Sequence, residues 1–353
     1  MDKIRPLLEL MLKVRASDLI LTTGAKPQMR INGILEAVAN QKVLNSLDVE
    51  ELLSSVLTPS QIDTFKRVKE FDMSFGLTGI SRFRLNAYFQ RGSMGIAIRL
   101  VPFDVPKMSE LGLPSIVNKF IDSRSSGLIL ISGPTGSGKS TTLSSMIEHI
   151  NDTRQCHIIT IEDPIEFIHS HKKSIIDQRE VGNDTLSFQK ALKHVLRETP
   201  DVIMIGEMRD LETIKTALVL AETGHLVLAT LHTSSAANAI SRIIDVFPNE
   251  QQQQVRVQLS SVLLGVVVQQ LLPRRDKNGL VLACEVMNVN SAIRNLIREN
   301  SAHQIYSVIQ TGAEYGMFTL NASLAKLIKD KMIDRSVAQW CSNDIKELRL
   351  LLN

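Results

Sequence analysis

The sequence predicts two domains, an α+β domain over residues 1–100 and an α/β domain over residues 115–353, joined by a linker at 101–114. Three observations predict this. Short strand-like runs broken by turn residues occupy the first hundred positions. Three prolines and Gly112 then break both periodicities between Val101 and Pro114. From Gly127 onward, apolar runs alternate with helical stretches, the pattern of a parallel sheet covered on both faces.

The elements follow in order. Leu7, Leu8, Leu10, Met11, Leu12 and Val14 give a first helix from Pro6 to Val14. Leu19 to Thr22, Gln28 to Ile31 and Ile34 to Val38 read as antiparallel strands, separated by Gly24, Pro27 and an Asn32-Gly33 turn. Helices over Asp48 to Leu57 and Pro59 to Lys69 precede strands at Phe71 to Phe75, Ser81 to Phe89 and Gly95 to Leu100. In the second domain, Leu128 to Ser132, His157 to Glu162, Val202 to Gly206 and His225 to Thr230 read as strands. After about residue 250 the pattern predicts a helical region: Gln251 to Leu272, Ser291 to Asn300, Ala302 to Gly312, Thr319 to Lys331 and Arg335 to Trp340.

Composition narrows the class. With 44% hydrophobic and 22% charged residues, the 353-residue chain can bury a large core and is not a disordered or collagen-like sequence. The apolar runs at 127–131 and 262–268 fall well short of the roughly 20 residues a membrane span needs, and no apolar leader follows Met1, so a cytoplasmic protein without a transmembrane segment is expected. Three scattered cysteines, Cys156, Cys284 and Cys341, make neither a disulfide framework nor a zinc site. A net charge of +3, with no basic run, gives no reason to expect nucleic acid.

The strongest chemical signal is Gly133-Pro134-Thr135-Gly136-Ser137-Gly138-Lys139-Ser140, followed by Thr141, lying between a strand and a helix. Glycines let backbone N–H groups converge on phosphate oxygens. Lys139 supplies charge to the β and γ phosphates, and the Ser140 hydroxyl is placed to ligate Mg²⁺. ATP with Mg²⁺ is therefore the expected ligand. Asp201 to Glu207 is an apolar strand ending in an acid, and Glu207 is the candidate to hold Mg²⁺ through water. In the acidic box Ile159 to Phe167, Glu162, Asp163 and Glu166 fall within five residues beside Pro164, and one of them is expected to be the catalytic base. His225 and His232 frame a further strand, and one of them is expected to sense the γ-phosphate.

Together these motifs resemble the secretion ATPase superfamily that drives type IV pili and type II secretion, over nearly the whole chain. The segments Ala16-Ser-Asp-Leu19 and Arg82-Phe-Arg84 are similar to that family's small domain, and Ala292 to Glu299 resembles the signature of its retraction ATPases. The resemblance implies a PAS-like N-terminal domain, a RecA-like ATPase domain and a homohexameric ring at the inner-membrane base of the pilus. It also implies a membrane platform protein and a paralogous retraction ATPase as partners. By motif position, Glu166 would activate water with support from Glu162 and Asp163, Glu207 would fill the Walker B role, and His225 and His232 would couple the γ-phosphate to domain position. Arg82, Arg84 and Arg99 are candidates to reach a γ-phosphate. Ile20 stands where the family commonly has His and is assigned no function, and the tail from Asn343 to Asn353 looks more like that of the sister retraction ATPase. Extension and type II secretion ATPases share the nucleotide motifs but usually carry a four-cysteine zinc module. A ring component that binds nucleotide without hydrolysis is the other class, against which the intact acids argue.

Overall fold

The computed structural model describes residues 3–31, 33–77, 81–102, 104–276 and 279–352. The expected turn at Asn32 falls partly outside the described residues, as does the last residue of the tail. By its internal contacts the chain divides into two units, one of Met1–Asp104 with Glu166–Ile168 and the other of Val105–Ile165 with His169–Asn353.

The first unit runs α1 (Arg5–Lys13), β1 (Asp18–Thr22), β2 (Gln28–Ile31), β3 (Ile34–Ala37), α2 (Ser46–Ser54), α3 (Pro59–Val68), β4 (Glu70–Leu77), β5 (Ser81–Gln90) and β6 (Ser93–Val101). Its strands form one antiparallel sheet in the order β3-β2-β1-β6-β5-β4. Local chemistry starts the helices. Asn45 and Asp48 make a reciprocal capping box ahead of α2, and Thr58 and Gln61 make another ahead of α3, with Pro59 at the first helical position. Strict alternation in β5 sends Phe83 and Leu85 into the core and leaves Arg82 and Arg84 on the opposite face.

The second unit runs α4 (Ser115–Asp122), β7 (Gly127–Ser132), α5 (Lys139–Thr153), β8 (His157–Glu162), β9 (Ile175–Glu180), α6 (Phe188–Val195), β10 (Val202–Ile205), α7 (Leu211–Glu222), β11 (Leu226–Leu231), α8 (Ala236–Asp245), α9 (Asn249–Val262), β12 (Leu263–Pro273) and β13 (Leu280–Asn288), then α10 (Ser291–Arg298), α11 (Ile305–Thr311), α12 (Leu320–Lys329), α13 (Arg335–Cys341) and α14 (Ile345–Leu352). The sheet order is β13-β12-β7-β11-β10-β8-β9, parallel except for β13 at its edge. Every residue of β7, β10 and β11 is buried, as strands covered on both faces require. Among the described residues, no helix is long and apolar enough to cross a membrane.

One expectation is corrected. The helix expected from Gln251 to Leu272 stops at Val262, and β12 and β13 extend the sheet within a region expected to be mostly helical. The run Val262 to Val268 is rich in β-branched valine, and burial on both faces erases the period that separates strand from helix. Gly265 shows why this strand must pack closely: a Cβ there would stand 2.5 Å from the Phe120 ring.

Candidate active site

The phosphate loop leaves the C-terminal end of β7. Gly133 sits at φ 139°, and a Cβ on it would meet the Gln269 carbonyl oxygen at 2.3 Å, so only glycine fits. Gly138, also at positive φ, precedes α5 without any side-chain cap, which leaves the first N–H groups of that helix available to an anion. Lys139 is only 8% exposed and donates from Nζ to the carbonyls of Gly133 and Pro134, both at 2.9 Å. Burial pushes its pKa down, opposed by the charge of Glu207. Pro134, Thr135, Gly136 and Ser140 are exposed, Thr141 is half-buried, and the Ser137 hydroxyl is buried without a hydrogen-bond partner.

The neighbouring strands bring acids to the same edge. Because β7, β11, β10 and β8 are parallel and adjacent, the residues that follow them emerge together at their carboxyl ends, the usual site of ligand binding in such sheets. Glu207 follows β10 by two residues and accepts from Arg209 Nε at 2.6 Å and His232 Nε2 at 3.2 Å. Burial alone would raise its pKa, but Arg209 and His232 outweigh it and hold the carboxyl below its ordinary value. Asp163, exposed just after β8, adds its charge to Glu207 in raising the pKa of Arg209. Glu162, the last residue of β8, is buried and accepts from Thr160 Oγ1 at 2.7 Å and Gln178 Nε2 at 3.2 Å. The Ser132 hydroxyl accepts from the Thr233 N–H at 2.9 Å, tying the ends of β7 and β11 together.

The donor set fits magnesium and nucleotide. Ser140 offers an exposed hydroxyl at the start of α5, Glu207 is held ionised, and the bare Gly133 backbone makes a cradle that a side chain would fill.

The structure separates the two histidines. His232 joins Glu207 at the carboxyl edge, whereas His225 precedes β11 at its amino end and binds the Leu220 carbonyl through Nδ1 at 3.0 Å. The His225 carbonyl accepts from Gly127 N, at the start of β7 and so at the far end from the phosphate loop. Six strand residues at about 3.3 Å each put it roughly 20 Å away. Of the two histidines, one of which was expected to sense the γ-phosphate, the structure thus brings only His232 to the carboxyl edge, and His225 does not reach the phosphate loop of its own chain.

Glu166 is exposed and lies in Glu166–Ile168, which groups with the first unit through contacts such as the Ile168 N–H on the Pro102 carbonyl at 3.2 Å. In that unit Arg84 and Arg99 stand directly opposite across β5 and β6, and Arg82 is two positions along on the same face. Asp18 offsets the like charges, taking Arg99 Nε at 2.8 Å and Arg30 Nε at 3.4 Å. Burial would raise the Asp18 pKa, but the hydrogen bonds from Arg99 and Ser17 and the charges of Arg99 and Arg30 together outweigh it and lower it.

Several residues of this edge escaped sequence reasoning. Arg209 stood two places from Glu207 and was the one readable signal. Gln178 and Glu180 lie on β9, a strand not expected from sequence. The Glu180 carboxylate accepts from the Ile165 N–H at 3.2 Å, and the Gln178 amide oxygen accepts from the His169 N–H at 2.9 Å, which fixes the acidic box on both sides. Buried His169 also meets Glu148 of α5 at 2.8 Å, and Lys172 meets the same carboxylate at 2.5 Å. The His169 hydrogen bond, with Lys172, holds Glu148 down to about 2 from its ordinary 4.5. A depressed folded-state pKa contributes stability that is present above the unfolded value and lost as pH falls toward the folded one. The thermal transition should therefore drop between pH 4.5 and about 2 more steeply in wild type than in Glu148→Gln. Parallel pH profiles in the two proteins would remove this role for the pair.

Comparison with known proteins agrees with this geometry. Residues 4–349 match the Type II/IV secretion system protein family. The chain is 46% identical over 336 residues to the type IV pilus retractation ATPase PilT of Pseudomonas aeruginosa, covering 95% of this chain and 97% of that one. It is 39% identical over 346 residues to the type IV pilus ATPase PilU of the same organism, covering 98% and 90%. A crystal structure of the pilus retraction motor PilT with bound ADP matches with a TM-score of 0.90 at 48% identity, covering 98% of this chain and 99% of that one. A phosphate loop on a parallel sheet, facing Glu207 and His232, thus sits in a chain that belongs to the Type II/IV secretion system protein family.

Proposed function

We propose that this protein is a Mg²⁺-dependent ATPase motor that powers retraction of type IV pili. The observation that carries the reading is the shared carboxyl edge, where the Lys139 loop, the ionised Glu207 and His232 emerge from adjacent parallel strands. The likeness to PilT over nearly both full lengths supports the retraction assignment, and the lower identity to PilU favours it over an accessory ATPase. The first unit is assigned as the PAS-like domain and the second as the RecA-like one.

In this mechanism the N–H groups at the start of α5 and the Lys139 ammonium hold the β and γ phosphates. Ser140 and Glu207 would hold the metal, Glu207 partly through water. Bound magnesium supplies charge neutralisation on the phosphate oxygens. His232 shares the Glu207 carboxylate and so links phosphate occupancy to the end of β11. Glu166 polarises the attacking water, with Glu162 and Asp163 fixing its approach. The face carrying Arg82, Arg84 and Arg99 is assigned to stabilising γ-phosphate charge, and residues 101–114 to the hinge that lets it close. Six copies form the ring, at the cytoplasmic side of the inner membrane, which turns closure into movement of the platform protein. A paralogous retraction ATPase is a second expected partner.

The test is phosphate release from purified protein with light scattering on the same sample, followed by pilus retraction in a strain carrying only this gene. Mg-ATP turnover by an assembly of about six copies, with retraction restored, is the expected result. A monomer silent toward Mg-ATP would sink the motor reading.

A further inference from the structure

Strand β12 carries one residue that hydrophobic packing does not explain. Along the face it turns toward α5, β12 presents Val267, Gln269 and Leu271 in alternation. Val267 joins the apolar cluster of Leu143, Met146 and Ile147 from α5, and Leu271 lies 3.3 Å from where a Cβ on Gly138 would stand. Gln269 between them has no solvent exposure at all. Its amide nitrogen donates to Thr142 Oγ1 at 2.8 Å, and its amide oxygen has no hydrogen-bond partner. Whichever way the amide is turned, Thr142 occupies one end and the other is left over.

A second buried polar atom without a partner lies near the backbone of the same residue. The Ser137 hydroxyl, within the phosphate loop, is 2.7 Å from the point where a Gly133 Cβ would stand, and the Gln269 backbone carbonyl is 2.3 Å from that same point. The two orphans belong to facing elements on either side of one glycine. Buried polar groups are nearly always paired, so two unpaired atoms on residues that flank one glycine call for a partner that this arrangement of the loop does not supply. Thr142 stands three residues beyond Lys139, on the same face of the first turns of α5.

We propose that Gln269 is a positioning residue for the phosphate loop: one end of its amide holds Thr142, and the other takes the Ser137 hydroxyl when the loop closes on a polyphosphate. β12 thereby sets the register between the loop and the start of α5, and binding energy reaches the sheet edge through this amide. Gln269 touches no phosphate itself. The inference rests on the nucleotide reading above and adds a residue outside its motifs.

The experiment is a double-mutant cycle in the full chain, with Mg-ADP as the probe in calorimetry. Gln269→Leu and Ser137→Ala should each weaken Mg-ADP binding about tenfold, and the double variant should also lose about tenfold rather than about a hundredfold. Without nucleotide, the thermal transition of Gln269→Leu should stay within a few degrees of wild type, because the substitution removes an unpaired buried oxygen and the hydrogen bond to Thr142 together. Gln269→Glu supplies an independent readout: its neutral acid mimics the amide, so its Mg-ADP affinity relative to wild type should recover as pH falls from about 8 to about 6. Additive losses, or Gln269→Leu binding Mg-ADP like wild type, would overturn the positioning role. A wild-type chain that binds no Mg-ADP would overturn the nucleotide reading itself, and this role with it.

Discussion

Lys139→Ala should abolish phosphate release, lowering turnover by at least about a hundredfold, while the chain still folds. Lys139 is among the few charged groups in the second unit that are almost wholly buried, and what surrounds it explains the size of the effect. Its ammonium is held by two carbonyls of its own loop, which orient it without neutralising it. A charge kept in a partly desolvated site acts on phosphate oxygens more strongly than the same charge in water. The same burial depresses its pKa, so the folded state gains little from the ammonium itself, and truncation should leave the nucleotide-free thermal transition nearly unchanged. Phosphate release measured beside Mg-ADP calorimetry and a melting curve checks all three statements. A folded Lys139→Ala variant that retains a tenth or more of the wild-type rate would show that the loop does not carry the chemistry.

What the sequence made legible divides along one physical line. The phosphate loop was readable because its requirements are local: Gly133, Gly138 and Lys139 act through the backbone of one turn and the helix that follows. Helices α2 and α3 were legible too, although the caps Asn45 and Thr58 went unread and α2 starts at Ser46, two residues before the expected Asp48. By contrast, the fate of residues 262–273 depended on what lay on both sides of them. Buried against α5 on one face and α8 on the other, β12 has no polar stripe to reveal its period. Missing that strand also hid Gln269, whose meaning comes from residues more than a hundred positions earlier. The two histidines illustrate the limit differently. Spacing alone could not decide which end of β11 faced the nucleotide, but the parallel pairing of β11 with β7 decides it at once. One partner of Glu162, Gln178, came from β9, a strand with exposed positions and charges that the sequence did not lead us to expect.

Among the three carboxylates of the acidic box, Glu166→Gln should slow hydrolysis about a hundredfold or more yet bind Mg-ADP within a few-fold of wild type. The contrast with its neighbours makes the result informative. Glu162 is buried and a single one of its carboxylate oxygens accepts from both Thr160 and Gln178, so truncation to alanine would leave both donors without that acceptor. Glu162→Ala should accordingly disturb the fold of the box and depress binding and hydrolysis together. Asp163 faces solvent beside Arg209 and acts through charge, so Asp163→Asn should weaken the hold on Arg209 with a smaller effect on rate. Glu166 is exposed, and among the described residues no ion pair or charged neighbour ties down its side chain, the condition of a group placed to meet a water. Its amide is the same shape and cannot take a proton. Loss of kcat without loss of affinity therefore identifies it as the base, because a packing defect would change both. If Glu166→Gln turns over ATP at the wild-type rate while Glu162→Gln is folded and silent, the base is Glu162, and the role of the exposed segment must be sought in the motion of the small unit instead.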